Sequence, residues 1–133
     1  MTQEDKKELL LKDLCARLPY NVICQVEFKE NGKYNSKVML LSGIFTDEAY
    51  FTTKGGSIYS NEYKPYLFPL SSMTEEEYDQ LYIDSRVKND SIDILDALAN
   101  DMDAIDWLNK NHFDYRDLIE KGLAIDATGL NIY

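Results

Sequence analysis

Leu10, Leu14 and Leu18 recur at a spacing of four, with Leu11 beside them, and predict an amphipathic helix over residues 2–18. Thr2 or Asp5 can cap its start, and Pro19 ends it. A single leucine stripe is expected to pack on the sheet that follows; a partner-binding helix is the alternative. From Val22 the period becomes two. Val22, Cys24, Val26 and Phe28 face one way; Ile23, Gln25, Glu27 and Lys29 face the other. Asn31-Gly32 then signals a tight hairpin, because a type I′ turn needs positive φ at both central residues. A return strand is predicted from Tyr34 to Leu41, running into Ser42-Gly43 and Ile44-Phe45. Asp47-Glu48 marks a turn, Ala49 to Lys54 a strand, and Gly55-Gly56 a turn into Ser57–Ser60. Tyr66 to Phe68, between Pro65 and Pro69, reads as a short closing edge strand, since proline is excluded from central strands.

Lys64 to Glu77 is the junction of the chain. Thr74 and Glu77 form a Thr-x-x-Glu capping box, so a helix is expected from Glu75 to about Arg86, burying Tyr78, Leu81 and Tyr82. After a break at 87–90, Ile94, Leu95, Leu98, Met102, Ile105 and Leu108 form an apolar stripe. Asp93, Asp96, Asn100, Asp103 and Asp106 form the opposite face. Aspartate is a mediocre helix former, and a kink or break is expected at Asn100-Asp101. Trp107 would fall on the acidic face of an unbroken helix, which marks either that break or a second contact surface. A last helix is expected over Tyr115–Lys121, capped by Asp114 and closed by Gly122, with Phe113 and Leu118 as a hydrophobic staple and Leu123 against Leu118.

The expected architecture is α+β in a single domain, 1–133. An N-terminal helix (1–18) precedes an antiparallel meander of about five short strands (22–69) and an acidic helical region (74–122). The meander is too small for a sandwich and must curl; an SH3-like barrel or a strongly bent sheet fits, with an OB-fold second.

Charge sharpens this division. The net charge is −10, with residues 1–20 holding four acids and four bases, and residues 21–70 five of each. Residues 71–133 hold fifteen acids against five bases, so the whole excess lies after the junction. That balance argues against direct nucleic-acid binding, which needs positive charge to displace counterions, and is more consistent with a basic protein partner or with a surface that merely stays soluble. No apolar run is long enough to span a membrane, and the mixed-charge stretch Met1 to Glu8 carries no export segment. A cytoplasmic protein is expected, with Cys15 and Cys24 reduced and buried.

Candidate chemistry is sparse. One histidine, His112, rules out mechanisms that need two and most metal sites. Beside Phe113, Asp114 and Tyr115 it reads as structural rather than catalytic. Asp101, Asp103 and Asp106 lack the glycine and alternating ligands of a calcium loop, and Gly55-Gly56 lacks the lysine and helix start of a phosphate loop. No cofactor is expected. Ten tyrosines are the surplus, six of them from Tyr50 to Tyr82. Tyrosine gives contact area at low entropic cost, so an exposed aromatic patch of Tyr63, Tyr66 and Phe68 around Pro65 is the leading contact candidate. Trp107 and the acids Asp93, Asp96, Asp103 and Asp106 are the second.

Three strings carry a resemblance: Leu14 to Tyr20 (LCARLPY), Lys64 to Glu77 (KPYLFPLSSMTEEE) and Ile105 to Ala124 (IDWLNKNHFDYRDLIEKGLA). The chain resembles small uncharacterised proteins of phages and prophages of gut Bacteroidetes, with Phe68 where arginine is usual and Asp117 where glycine is usual. The resemblance implies a setting, a mobile-element protein in a bacterial cytoplasm, and brings no catalytic residues. The expectation is a non-enzymatic accessory protein that binds another protein. An acidic mimic of nucleic acid that occupies a basic host protein is the alternative.

Overall fold

The computed structural model describes residues 2–45, 48–85 and 102–133, and the side chains at 81–85 and 102–103 lie outside the description. Helix α1 spans Gln3–Arg17. Its capping box is reciprocal: the Asp5 N–H donates to Thr2 Oγ1, and the Thr2 N–H donates to the Asp5 carboxylate, each at 3.1 Å. Pro19 converts its end to a 3₁₀ turn, Leu18–Tyr20.

Strands β1 (Ile23–Glu30) and β2 (Lys33–Ile44) form the predicted hairpin, and Asn31 and Gly32 have the positive φ values, 53° and 77°, that a type I′ turn demands. Strand β2 is longer than expected because Ser42-Gly43 does not end it. The register slips between Leu41 and Gly43, so Ser42 is the extra residue of a bulge and pairing resumes with the next strand. Strands β3 (Ala49–Thr53) and β4 (Gly56–Ser60) pair with Thr53 opposite Gly56, which centres their turn on Lys54-Gly55 rather than on Gly55-Gly56. The expected turn at Asp47-Glu48 falls partly outside the described residues.

Strand β5 (Glu62–Pro69) is the largest correction within the sheet. It is eight residues long and interior, not a short edge: the strand order is β4-β3-β2-β1-β5-β6, with a further segment also on β5. Residues Glu62 to Pro65 pair antiparallel with β1. Tyr66 and Leu67 pair in parallel with β7 (Ile125–Asp126), and Phe68 and Pro69 with β6 (Phe113–Asp114). Each stretch of β5 therefore serves one neighbour in turn. A strand with one neighbour at a given position needs only alternate N–H groups there, which is how Pro65 and Pro69 are accommodated.

Helix α2 (Glu75–Ser85) starts at the predicted capping box, with bonds of 3.0 and 3.1 Å between Thr74 and Glu77. Helix α3 is Met102–Lys110. The predicted stripe and acidic face over residues 86–101, including Asp93, Asp96 and the Asn100-Asp101 break, lie outside the described residues. The expected last helix over Tyr115–Lys121 is absent. Asp117 is left-handed, φ 56°, which ends helical geometry before it begins and leaves a single turn closed by Lys121 N–H on Asp117 O at 3.1 Å. The chain after Lys110 is thus turns and two short strands rather than the final part of a helical region.

The buried apolar groups form three clusters. Leu14, Val22, Cys24, Val26, Met39, Leu41, Ala49 and Phe51 lie between α1 and the inner face of the sheet. Trp107, Leu108 and Phe113 pack with Phe68, Leu70 and Met73, and Leu67 packs with Leu118 and Ala124. Leu10 contributes to the first and third, so the leucine stripe of α1 packs on its own sheet as expected. Burying each large side chain of this kind contributes about 1.5–3 kcal/mol.

Candidate functional site

The sequence-predicted contact residues are mostly inside. Tyr66 is 8% exposed and Trp107 7%. Trp107 stacks on Phe113 at 5.7 Å with the rings 8° apart, and so does not project as a second contact surface. Tyr63 is half-buried with its ring 5.1 Å from Phe51, and Phe68 lies 6.1 Å from Phe113 and 6.0 Å from Tyr133. The expected exposed patch around Pro65 does not exist; β5 is interior and turns these rings into the clusters beside it. Asp106 is exposed. Asp93, Asp96 and the side chain of Asp103 lie outside the described residues.

A polar knot binds α1 to the chain after α3, and sequence reasoning missed it. Asp13 and Arg17 lie on the inner side of α1, fully buried, with Arg17 Nε donating to Asp13 Oδ2 at 2.6 Å. Arg17 Nη2 donates to the Phe113 carbonyl at 2.6 Å, and Arg116 Nη1 donates to Asp13 Oδ1 at 2.9 Å. The two guanidiniums lie 5.0 and 4.8 Å from the Tyr115 ring centre, and the Tyr115 hydroxyl meets Asn109 Oδ1 at 2.9 Å. Next to it, the buried Asp114 carboxylate accepts from the N–H groups of Arg116, Leu118 and Ile119 at 2.9 to 3.3 Å. Asp114 caps as predicted, but it caps a turn. The spacing Asp13 to Arg17 was the available signal: an i, i+4 ion pair beside the Leu10–Leu14–Leu18 stripe sits at the boundary of the buried face.

His112 belongs to the same region. Its ring stacks on Tyr133 at 3.7 Å and 11°, and its carbonyl accepts from Phe68 N–H at 2.8 Å. Burial first, and the nearby Arg17 charge second, push its pKa down to about 4 from the usual 6.5. The imidazole is therefore neutral at pH 7, and Nδ1 is enclosed without a hydrogen-bond partner among the described residues. The Tyr133 hydroxyl accepts from Ile23 N–H at 2.9 Å and donates to Tyr66 O at 2.8 Å, so this tyrosine straps β1 and β5 together. The three strings that carry the resemblance meet here: Arg17 on Phe113 O, and Phe68 on His112 O.

An exposed aromatic corner lies elsewhere, on the outer face of β3 and β4 and just past the end of β2. Tyr50 and Tyr59 are cross-strand partners with ring centres 4.8 Å apart, and Phe45 lies 5.8 Å from Tyr59. Tyr59 is 55% exposed and Phe45 53%. Phe45 covers Gly43, where a Cβ would sit 3.5 Å from its ring. Tyr50 and Tyr59 were part of the tyrosine surplus; Phe45 was not singled out, and the register that pairs the two tyrosines depended on the turn at Lys54-Gly55. Strand β4 pairs only with β3 among the described residues, so its outer edge carries unpaired backbone groups beside Tyr59.

Cys24 is buried, which raises its thiol pKa well above the ordinary value; Cys15 is exposed, correcting the expectation that both are buried. Among the described residues, no group of three or more His, Cys, Asp or Glu is arranged to hold a metal ion, and no helix is long and apolar enough to cross a membrane. Comparison of the chain with protein-family models, with curated proteins and with solved structures finds no match in any of the three.

Proposed function

We propose that the chain is a non-enzymatic accessory protein of a phage or mobile element, acting by binding another protein in the bacterial cytoplasm. The observation that carries the reading is the aromatic corner of Phe45, Tyr50 and Tyr59, with Tyr59 on a strand that pairs on one side only among the described residues. Large amphipathic rings left half in water beside free backbone donors and acceptors are the ingredients of a contact surface. The mixed sheet beneath the corner is its support. Interior packing explains the other aromatic set and the polar knot without any appeal to a ligand. The acidic-mimic alternative rests on the charge of residues 71–133 and on the exposed Glu75 and Glu76.

A pull-down of tagged protein from host lysate, washed in rising salt with and without duplex DNA, tests both. Retention of one partner through both washes is the expected outcome. Release of a basic partner by salt and by DNA would replace the reading with the mimic. Failure to retain any protein would remove it.

A further inference from the structure

Two clefts of about 550 and 360 Å³ run along the open edge of β4 and share Phe28, Lys29 and Ile58. At the Gly56 end the lining includes Lys29 and Lys37, with Glu30 as the acid. At the Ser60 end it includes Glu27, Glu48 and Glu62, with Lys29 as the base. Ser60 Oγ donates to Glu27 O at 2.6 Å, which ties this end of β4 to β1 and closes the groove there. Lys29 and Lys37 are exposed and take part in no ion pair among the described residues. The groove is therefore electrically polar along its length, positive towards Gly56 and negative towards Ser60.

We propose that this groove takes an extended peptide segment of a partner protein, added as a strand on β4, with an acidic residue against Lys29 and Lys37 and a basic residue against Glu27, Glu48 and Glu62. The proposal rests on the protein-binding reading and names the chemistry of its partner. An unpaired strand edge offers donors and acceptors at the spacing of another peptide backbone, which a nucleic-acid strand does not reproduce. A polyanion would also meet the three glutamates at the far end and the net charge of −10. Opposite charges at the two ends favour one orientation of the guest and penalise its like-charged alternatives.

The test uses fluorescein-labelled valine–threonine peptides of about ten residues, near the upper length of an ordinary strand. One carries lysines at one end and glutamates at the other, a second reverses that order, and two more carry only lysine or only glutamate. Anisotropy titrations of the full chain at low salt are expected to show one of the bipolar peptides binding about fivefold tighter than either uniform peptide. Lys37→Glu, at an exposed position, should erase that preference while leaving the unfolding midpoint in place. Equal binding of all four peptides, no binding of any, or tighter binding of an oligothymidylate of similar length would each overturn the proposal. If the groove fails while a lysate partner is still captured through Tyr59, the protein-binding reading stands and only its assignment to this groove falls.

Discussion

Two sets of aromatic residues with the same composition have opposite fates in this chain. Tyr63, Tyr66 and Phe68 lie on β5, an interior strand flanked by β1, β6 and β7; the Tyr63 ring faces Phe51, the Phe68 ring faces Phe113 and Tyr133, and Tyr66 is buried. Phe45, Tyr50 and Tyr59 lie on the outer face at the free end of the sheet, their rings against one another with Phe45 and Tyr59 more than half exposed. Residue type does not separate the two sets; strand order does. Two prolines made β5 look like an edge, yet the edge is β4, which contains none. What decides is the C-terminal chain, which returns to cover β5 and leaves β4 open.

The largest effect is expected at the knot that fixes this returning chain. Asp13→Leu removes the carboxylate shared by Arg17 and Arg116 and leaves a buried guanidinium unpaired, and urea unfolding should show a loss of about 3–5 kcal/mol. Adding Arg17→Met should recover most of that loss, because an apolar pair of similar volume replaces the ion pair. A double variant as unstable as the single one would show that the knot is more than a paired charge.

Smaller, and more specific to the buried set, is Tyr133→Phe. It keeps the stack on His112 but deletes the hydroxyl that joins Ile23 N–H to Tyr66 O. A destabilisation of about 1 kcal/mol is expected from equilibrium unfolding, and the Ile23 amide should exchange faster with solvent.

The pH dependence probes the same stack from the His112 side. His112 has a folded-state pKa near 4, below the unfolded 6.5, so the unfolded chain takes up a proton first as pH falls. Its contribution to stability is fully present above pH 6.5 and is lost progressively as pH drops from 6.5 through 4. His112→Asn, chosen because asparagine tolerates the φ of 64°, should flatten the stability–pH curve over that window. An unchanged slope would show that His112 titrates normally in the folded protein.

The legible parts of the fold were those written in short-range signals. The Thr74–Glu77 box, the cap at Thr2, the Asn31-Gly32 turn and the leucine stripe of α1 each depend on a few neighbouring residues, and each formed as read; that Asp5 returns the bond to Thr2 was not read. The departures in strand order and on the inner side of α1 come from distant chain. Pairing of Phe68 with Phe113 made β5 interior, and Arg17 reaching Phe113 O gave α1 a charged inner side that its leucines did not announce. The last helix failed for a local reason that composition concealed: Asp117 can adopt the left-handed conformation that a glycine would take, and there it does. The aromatic candidates were misplaced because period-two patterning assigns faces within a strand but not the order of strands in the sheet.

The proposed contact runs through the open end of the sheet rather than through β5. Tyr59→Ser tests it most directly, since the side chain is exposed and its loss should change stability by no more than about 0.5 kcal/mol. Capture of the lysate partner by this variant, measured beside the wild type at matched folded concentration, is predicted to fall at least about tenfold, as for loss of an aromatic anchor. Full capture by a folded Tyr59→Ser protein would contradict the account and return attention to the acidic surface after the junction.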